Sequence, residues 1–321
     1  MLKINKKQLR EIIDPSTAMA EIEKSFVAFS TGKVILPLPL VFDLPKNNGE
    51  ICIKTALVEG LPTYTVKIVS VFKSNENVGL PTLTAVMNIF DSATGKLLAV
   101  LNEEGWLTAL RTACAGVLVD RYFRKKLVSN IGVAGLGVQA KFLIKMILEQ
   151  NKGYKKVCAW DIRQEKILAF INEMQKQFPE VIFSSCPNID ELTEESDTIL
   201  TATPAKEPFL ILNGRRPGLT IIAIGADMPD KCEISPQSYA KADKIFVDSI
   251  ESNLVLGGIA KSLKQGKIFE KNIAGEIGEV FCGAKQGRIN DNEFIIVSLV
   301  GVGVQDSFIG NLAYKSFLDR K

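Results

Sequence analysis

The stretch Ile131-Gly132-Val133-Ala134-Gly135-Leu136-Gly137-Val138-Gln139-Ala140 is followed, about 20 residues on, by Val157-Cys158-Ala159-Trp160-Asp161. It reads as a strand, a glycine turn, a helix and a second strand ending in an acid. A dinucleotide needs that order. Gly135 suits the tight turn, Gly137 lets backbone approach a pyrophosphate, and Ala140 is the small residue where helix meets strand. A helix opening at Val138 and Gln139 aims N–H groups at the phosphates. Asp161 would accept hydrogen bonds from the adenosine ribose and repel a 2′-phosphate, so NAD(H) is favoured over NADP(H), although Arg163 lies close enough to weaken that preference.

The surrounding pattern predicts an α/β fold with a Rossmann-type doubly wound parallel sheet. Val128–Ala134, Lys156–Trp160, Val181–Ser184, Thr198–Ala202, Leu219–Ile224 and Lys244–Val247 are strand-like, with helical stretches such as Arg163–Gln177 between them. Ligands of such sheets sit at the carboxyl ends of the strands, which gives weight to Gly135, Asp161, Thr203, Gly225 and Asp227. Before residue 125 the pattern changes to a helix over Ser16–Ser30 and extended segments at Leu40–Leu44, Ile51–Thr55, Thr63–Phe72, Leu83–Asp91 and Lys96–Asn102. Turn residues at Asn47-Asn48-Gly49 and Thr94-Gly95 separate them, giving a smaller α+β region of antiparallel hairpins. Asp306–Lys321 reads as an amphipathic helix that returns to that region. The expected domains are therefore 1–124 with 305–321, and 125–304.

Composition narrows the function classes. With 39 basic and 36 acidic residues the net charge is +3, and no block of like charge points to nucleic acid or a membrane surface. No signal-peptide core and no bilayer-length apolar run is present, so a soluble cytoplasmic protein is expected. The six cysteines are scattered singly, without CxxC or ligand-like clustering, and read as free thiols in a reducing compartment. The chain has no histidine, so proton transfer must use Asp, Glu, Lys, Tyr or Cys. The same absence argues against a serine hydrolase triad and against a transition-metal site, and no metal is expected.

Further motifs occur in a fixed order: Gly79-Leu80-Pro81-Thr82, Asp91-Ser92-Ala93-Thr94-Gly95-Lys96-Leu97-Leu98-Ala99, Leu107-Thr108-Ala109-Leu110-Arg111-Thr112-Ala113, the glycine turn, and Ile224-Gly225-Ala226-Asp227-Met228-Pro229. Glu276-Ile277-Gly278-Glu279-Val280 and Gly301-Val302-Gly303-Val304-Gln305-Asp306 extend the series. Together they resemble the ornithine cyclodeaminase/mu-crystallin family, which includes archaeal-type alanine dehydrogenases and ketimine reductases. The resemblance implies an NAD(P)-binding domain inserted in a smaller domain that binds a small amino-acid or imino-acid substrate and forms a homodimer. It assigns Arg111 and Lys67 to the substrate carboxylate, which suits a bidentate guanidinium with a lysine point charge beside it. Asp227 matches the acid that moves a proton at the substrate amine; at an apolar strand end its pKa would be raised. Thr82, Thr112, Gln139, Thr203 and Val302 match cofactor neighbours, and Lys231 a residue near the ligand.

Two departures bear on the reaction. Leu36-Pro37-Leu38-Pro39-Leu40-Val41 is apolar where relatives carry an Arg or Lys that completes the carboxylate grip. Thirteen residues before Lys67, where ornithine-cyclising relatives carry an acid, stands Lys54. If it shares the substrate-facing side, it would repel a second ammonium by on the order of 1 kcal/mol. The leading expectation is thus an NAD(H)-dependent oxidoreductase transferring hydride at the α-carbon, alanine dehydrogenase-like. The alternatives are ornithine cyclodeamination to proline and ammonia with catalytic NAD, and a non-catalytic mu-crystallin-like NAD(P)H binder.

Overall fold

In the computed structural model, which describes residues 1–320, the chain divides into two units: Met1–Cys114 with the segment from Val302 onward, and Ala115–Gly301. The division falls inside the helix Trp106–Phe123, upstream of the boundary expected after residue 124. The sequence pattern changes only where this helix ends, and nothing in its own periodicity marks the change of unit.

The first unit contains β1 (Leu2–Asn5), β2 (Val34–Ile35), β3 (Leu40–Leu44), β4 (Gly49–Val58), β5 (Thr63–Phe72), β6 (Leu83–Asp91) and β7 (Leu97–Asn102). Their order is β1-β7-β6-β5-β4-β2, with β3 also paired to β4. All neighbours are antiparallel except β1 and β7. Because side chains alternate along a strand, Thr63, Thr65 and Lys67 of β5 share one face. Register places Lys54 opposite Lys67 and Ala56 opposite Thr65 on β4, and Met87 opposite Lys67 on β6.

That face carries the C-terminal helix, Gly303–Leu318. Ser307 Oγ donates to the Ala56 carbonyl at 2.8 Å, and Thr63 Oγ1 lies 3.1 Å from Asn311 Oδ1. At Gly303 the helix touches the sheet backbone, where a Cβ would overlap the Thr55 carbonyl. The amphipathic helix expected from residue 306 is not what forms. Every residue from Val302 to Asn311 is buried, including Gln305, Asp306, Ser307 and Asn311, whose polar atoms other than Asp306 Oδ2 bond to the rest of the first unit. The helix Pro15–Ser30, capped by Asp14 accepting from the Thr17 N–H at 2.8 Å, packs Ala18, Met19, Ile22 and Phe26 inward and contacts the C-terminal helix.

The second unit adds β8 (Asn130–Ala134), β9 (Lys156–Trp160), β10 (Ile182–Ser185), β11 (Thr198–Thr201), β12 (Thr220–Ala223), β13 (Lys244–Val247), β14 (Ile273–Glu276) and β15 (Ile295–Ser298). All pair in parallel, in the order β10-β9-β8-β11-β12-β15-β13-β14. This is the expected doubly wound sheet. β14 and β15 are absent from the sequence reading, and β15 lies between β12 and β13. Its four residues, Ile-Ile-Val-Ser, are all buried, and so short an apolar run has no period to identify it. Chain order reverses at β8, so the carboxyl ends of β8 and β11 flank the switch point where such sheets bind ligands. Among the described residues no helix is long and apolar enough to cross a membrane.

Gly303→Ala is expected to lower stability by about 1–3 kcal/mol, because the added methyl must push the helix off the β4 backbone. Urea denaturation measures it, and an unchanged midpoint would show that the contact is not tight.

Candidate functional site

At the end of β8, Gly135 has φ +87°, a left-handed conformation that L side chains rarely adopt, and a Cβ there would lie 2.5 Å from Thr203 Cγ2 and 2.7 Å from the Ala202 carbonyl. Gly137 precedes the helix Val138–Gln150 with extended backbone, and a Cβ on it would meet no protein atom within 4 Å. The fold does not require glycine at 137, whereas a phosphate seated against the backbone does. Gly137 offers no side-chain cap, and Val138 is exposed beside it. Asp161, buried at the end of β9, accepts from the Leu136 N–H and the Arg163 N–H, each at 3.0 Å. It thereby fixes the glycine turn and keeps carboxylate lone pairs for ribose hydroxyls. Arg163 itself is exposed. These features fit a dinucleotide.

Glu233, which sequence reading passed over, joins the neighbouring strand ends. Its buried carboxylate accepts from Thr201 Oγ1 (2.8 Å), the Thr203 N–H (2.7 Å), Thr203 Oγ1 (2.9 Å) and the Gly225 N–H (2.8 Å). Burial pushes its pKa up against the pull of those donors. Between Lys231-Cys232 and Ile234-Ser235 no local pattern marks it in the sequence. Thr203 is thus held beside Gly135. The apolar enclosure expected around Asp227 is not present: its side chain is 45 % exposed, and its carboxylate pairs with Lys231 Nζ at 2.9 Å.

The first unit gathers the candidate substrate residues. Lys67 Nζ is 2.7 Å from Asp306 Oδ1, with both side chains buried. Arg111, in the second turn of Trp106–Phe123, places Nε 3.4 Å from the same oxygen, and its Nη1 donates to Gln305 Oε1 at 3.2 Å. Gln305 Nε2 returns a hydrogen bond to the Arg111 carbonyl at 3.3 Å. Glu103 secures the start of that helix by accepting from the Thr108 N–H at 3.0 Å. Lys54 is buried opposite Lys67 and contributes to its electrostatic field. Arg111 Nε and Asp306 Oδ2 are buried without a hydrogen-bond partner. Burial first, then the Arg111 charge, bring Lys67 down to about 8, against the opposing attraction of Asp306. Asp306 is the central residue that sequence reading did not single out, although an acid among Val304, Phe308 and Ile309 must have a buried partner.

The remaining candidates are divided between the two units. Thr82, Thr112 and Val302 belong to the first unit, not to the unit of the glycine turn. Thr82 accepts through its carbonyl from the Phe72 N–H at 2.8 Å, Thr112 Oγ1 donates to the Thr108 carbonyl at 2.8 Å, and the Val302 N–H donates to Gln305 Oε1 at 3.2 Å. The expectation that no cysteines cluster needs correction. Parallel pairing of β9 and β10 brings Cys158 and Cys186 together, with Glu195 beside them. Residues far apart in sequence give no spacing signal.

Lys67 makes a testable contribution to stability. Its folded-state pKa, about 8, lies below the 10.5 of an unperturbed lysine, so between those values the unfolded chain holds more protons and stability rises with pH. Below about 8 the burial penalty is present in full. Denaturation across pH 8 to 10.5 should show the wild type gaining stability relative to Lys67→Met, and parallel curves would contradict this. Asp306→Asn, which strips the carboxylate from two buried cations, should cost about 3–5 kcal/mol in the same assay.

The chain is similar to known proteins over its whole length. The structure superposes on that of Thermococcus litoralis Delta(1)-pyrroline-2-carboxylate reductase in complex with NADH and L-proline, with a TM-score of 0.92, 30% identity and coverage of 100% of this chain and 98% of that one. An archaeal alanine dehydrogenase dimer with bound NAD gives a TM-score of 0.91 at 28% identity, covering 100% and 97% of the two chains. Alanine dehydrogenase from Archaeoglobus fulgidus is 29% identical over 320 residues, 99% of this chain and 96% of that protein. Residues 4–321 match the profile of the ornithine cyclodeaminase/mu-crystallin family, and the chain belongs to that family.

Proposed function

We propose that this protein is an NAD(H)-dependent oxidoreductase acting at the α-carbon of a small amino acid or its imine. The observation that carries the reading is the cluster on the β4–β5 face, where Lys67 and Arg111 are buried against the carboxylate of Asp306 and Lys54 is buried opposite Lys67. Arg111 Nε, a buried cationic donor without a hydrogen bond, suits a second carboxylate, that of the substrate. The glycine turn and Asp161 supply the dinucleotide half, with NAD(H) preferred because Asp161 would repel a 2′-phosphate.

Bound NAD(H) supplies the hydride acceptor or donor. Arg111 and Lys67 fix the substrate carboxylate and so orient the α-carbon. Lys67, at about 8, can also hold or release a proton near neutral pH. Asp227 exchanges a proton with the substrate amine, and Lys231 steadies its carboxylate. Lys54 shares the Lys67 face, so a substrate with a second ammonium would meet repulsion there. A compact, uncharged side chain is favoured over ornithine.

The exposed apolar residues Ile35, Leu40 and Phe42 lie on β2 and β3, beside Leu57 of β4. β3 pairs only with β4, and an edge of this kind suits a homodimer interface. All six cysteines are free thiols, consistent with a reducing cytoplasm.

Two measurements test the reading. The purified protein should oxidise L-alanine or L-proline with NAD⁺, or reduce the corresponding imines with NADH, and Arg111→Met should lower kcat/KM at least about 30-fold. Ammonia from L-ornithine without NADH accumulation would instead establish cyclodeamination, and tight NADH binding with no turnover on any of these would favour a binder. In sedimentation the wild type should run as a dimer and Phe42→Glu as a monomer; a monomeric wild type would sink the interface.

A further inference from the structure

Outside the residues assigned above, one cluster on the second unit has the chemistry of a ligand set. Cys158 projects from β9, Cys186 follows β10, and Glu195 ends the helix Ile189–Glu195. The two thiol sulfurs and a carboxylate oxygen all lie within 4.8 Å of one another. Cys158 Sγ is 3.2 Å from Glu195 Oε2 and 3.7 Å from Ser184 Oγ. The Cys186 N–H donates to the Ala159 carbonyl at 2.9 Å, which continues the strand pairing and holds the second thiol in place.

We propose that Cys158, Cys186 and Glu195 form a binding site for one thiophilic divalent cation, Zn(II) or Cd(II), with solvent as the fourth ligand. A tetrahedral ion with metal–sulfur distances of about 2.3 Å holds its sulfurs about 3.8 Å apart, so the donors need to close by about an ångström at most. Charge also balances. Two thiolates and a carboxylate around a divalent ion carry one net negative charge, and Lys156, whose Nζ is 2.5 Å from Glu195 Oε2, supplies the compensating positive charge. Both thiol protons pass to solvent when the ion binds. Both cysteines are buried, but the side chains of Glu195 and Lys156 are 43% and 31% exposed, so an ion can reach the site from the solvent side. An ion there would tie β9, β10 and the Ile189–Glu195 helix together at the sheet edge.

The test is a Cd(II) titration of the reduced, metal-stripped full-length chain in a C52S/C282S background, which removes the half-buried and exposed thiols. One equivalent should bind with a sulfur-to-cadmium charge-transfer band and release of protons, and the band should fall when Zn(II) is added in large excess. C158S or C186S should abolish the band, and E195Q, a substitution at an exposed helix end that leaves both thiols in place, should weaken binding at least about tenfold. Thermal melts of each variant confirm that it is folded. The proposal is overturned if no band forms at stoichiometric Cd(II), if the band survives in C158S and C186S, or if the reduced pair closes to a disulfide in air and binds no ion.

Discussion

A single carboxylate, that of Asp306, allows a lysine and an arginine to sit inside the first unit. Burying one ammonium alone costs several kcal/mol, and a second cation beside it costs more. Asp306 Oδ1 faces both Lys67 and Arg111, and Gln305 clasps the guanidinium from the next position on the same helix. Burial, and then the Arg111 charge, outweigh the attraction of Asp306 and bring Lys67 to about 8. A fully neutralised cluster would be a structural ion network. One that leaves a buried guanidinium N–H without a hydrogen bond retains attraction for another anion.

The cluster explains why the helix Gly303–Leu318 returns to the first unit. Asp306 and Gln305 come from the C-terminal helix, while Lys67 and Lys54 come from the hairpin β4–β5, more than half the sequence away. Gly303 brings the helix against the β4 backbone so that Asp306 reaches Lys67. The parallel sheet of the second unit is inserted between these partners in sequence. The smaller unit therefore completes its charged cluster only after the whole nucleotide-binding sheet has been made.

Much of this is legible in the sequence. The glycine turn, the ends of β9 and β13, and the hairpin strands β3, β5 and β6 follow from turn residues and periodicity, which are local signals. Three kinds of feature were not legible. β15 is a buried four-residue run without a period. The C-terminal helix reads as amphipathic, but its polar positions answer to groups on β4, β5 and the helix Trp106–Phe123. Asp306, Glu233 and the Cys158–Cys186–Glu195 cluster depend on pairings between distant segments, and a side chain's neighbours across a sheet are set by register, which a single sequence does not encode. Strand alternation could place Lys54 on a face but could not say which; pairing with Lys67 decides it.

The most direct test of the carboxylate clamp is to follow the Lys67 ammonium by ¹⁵N NMR titration, with NADH present, before and after adding a small 2-imino or 2-amino acid. A substrate carboxylate seated at Lys67 and Arg111 must favour the charged lysine, so the midpoint should rise from about 8 on binding. A midpoint that stays in place while the ligand is demonstrably bound would place the carboxylate elsewhere and contradict the assignment.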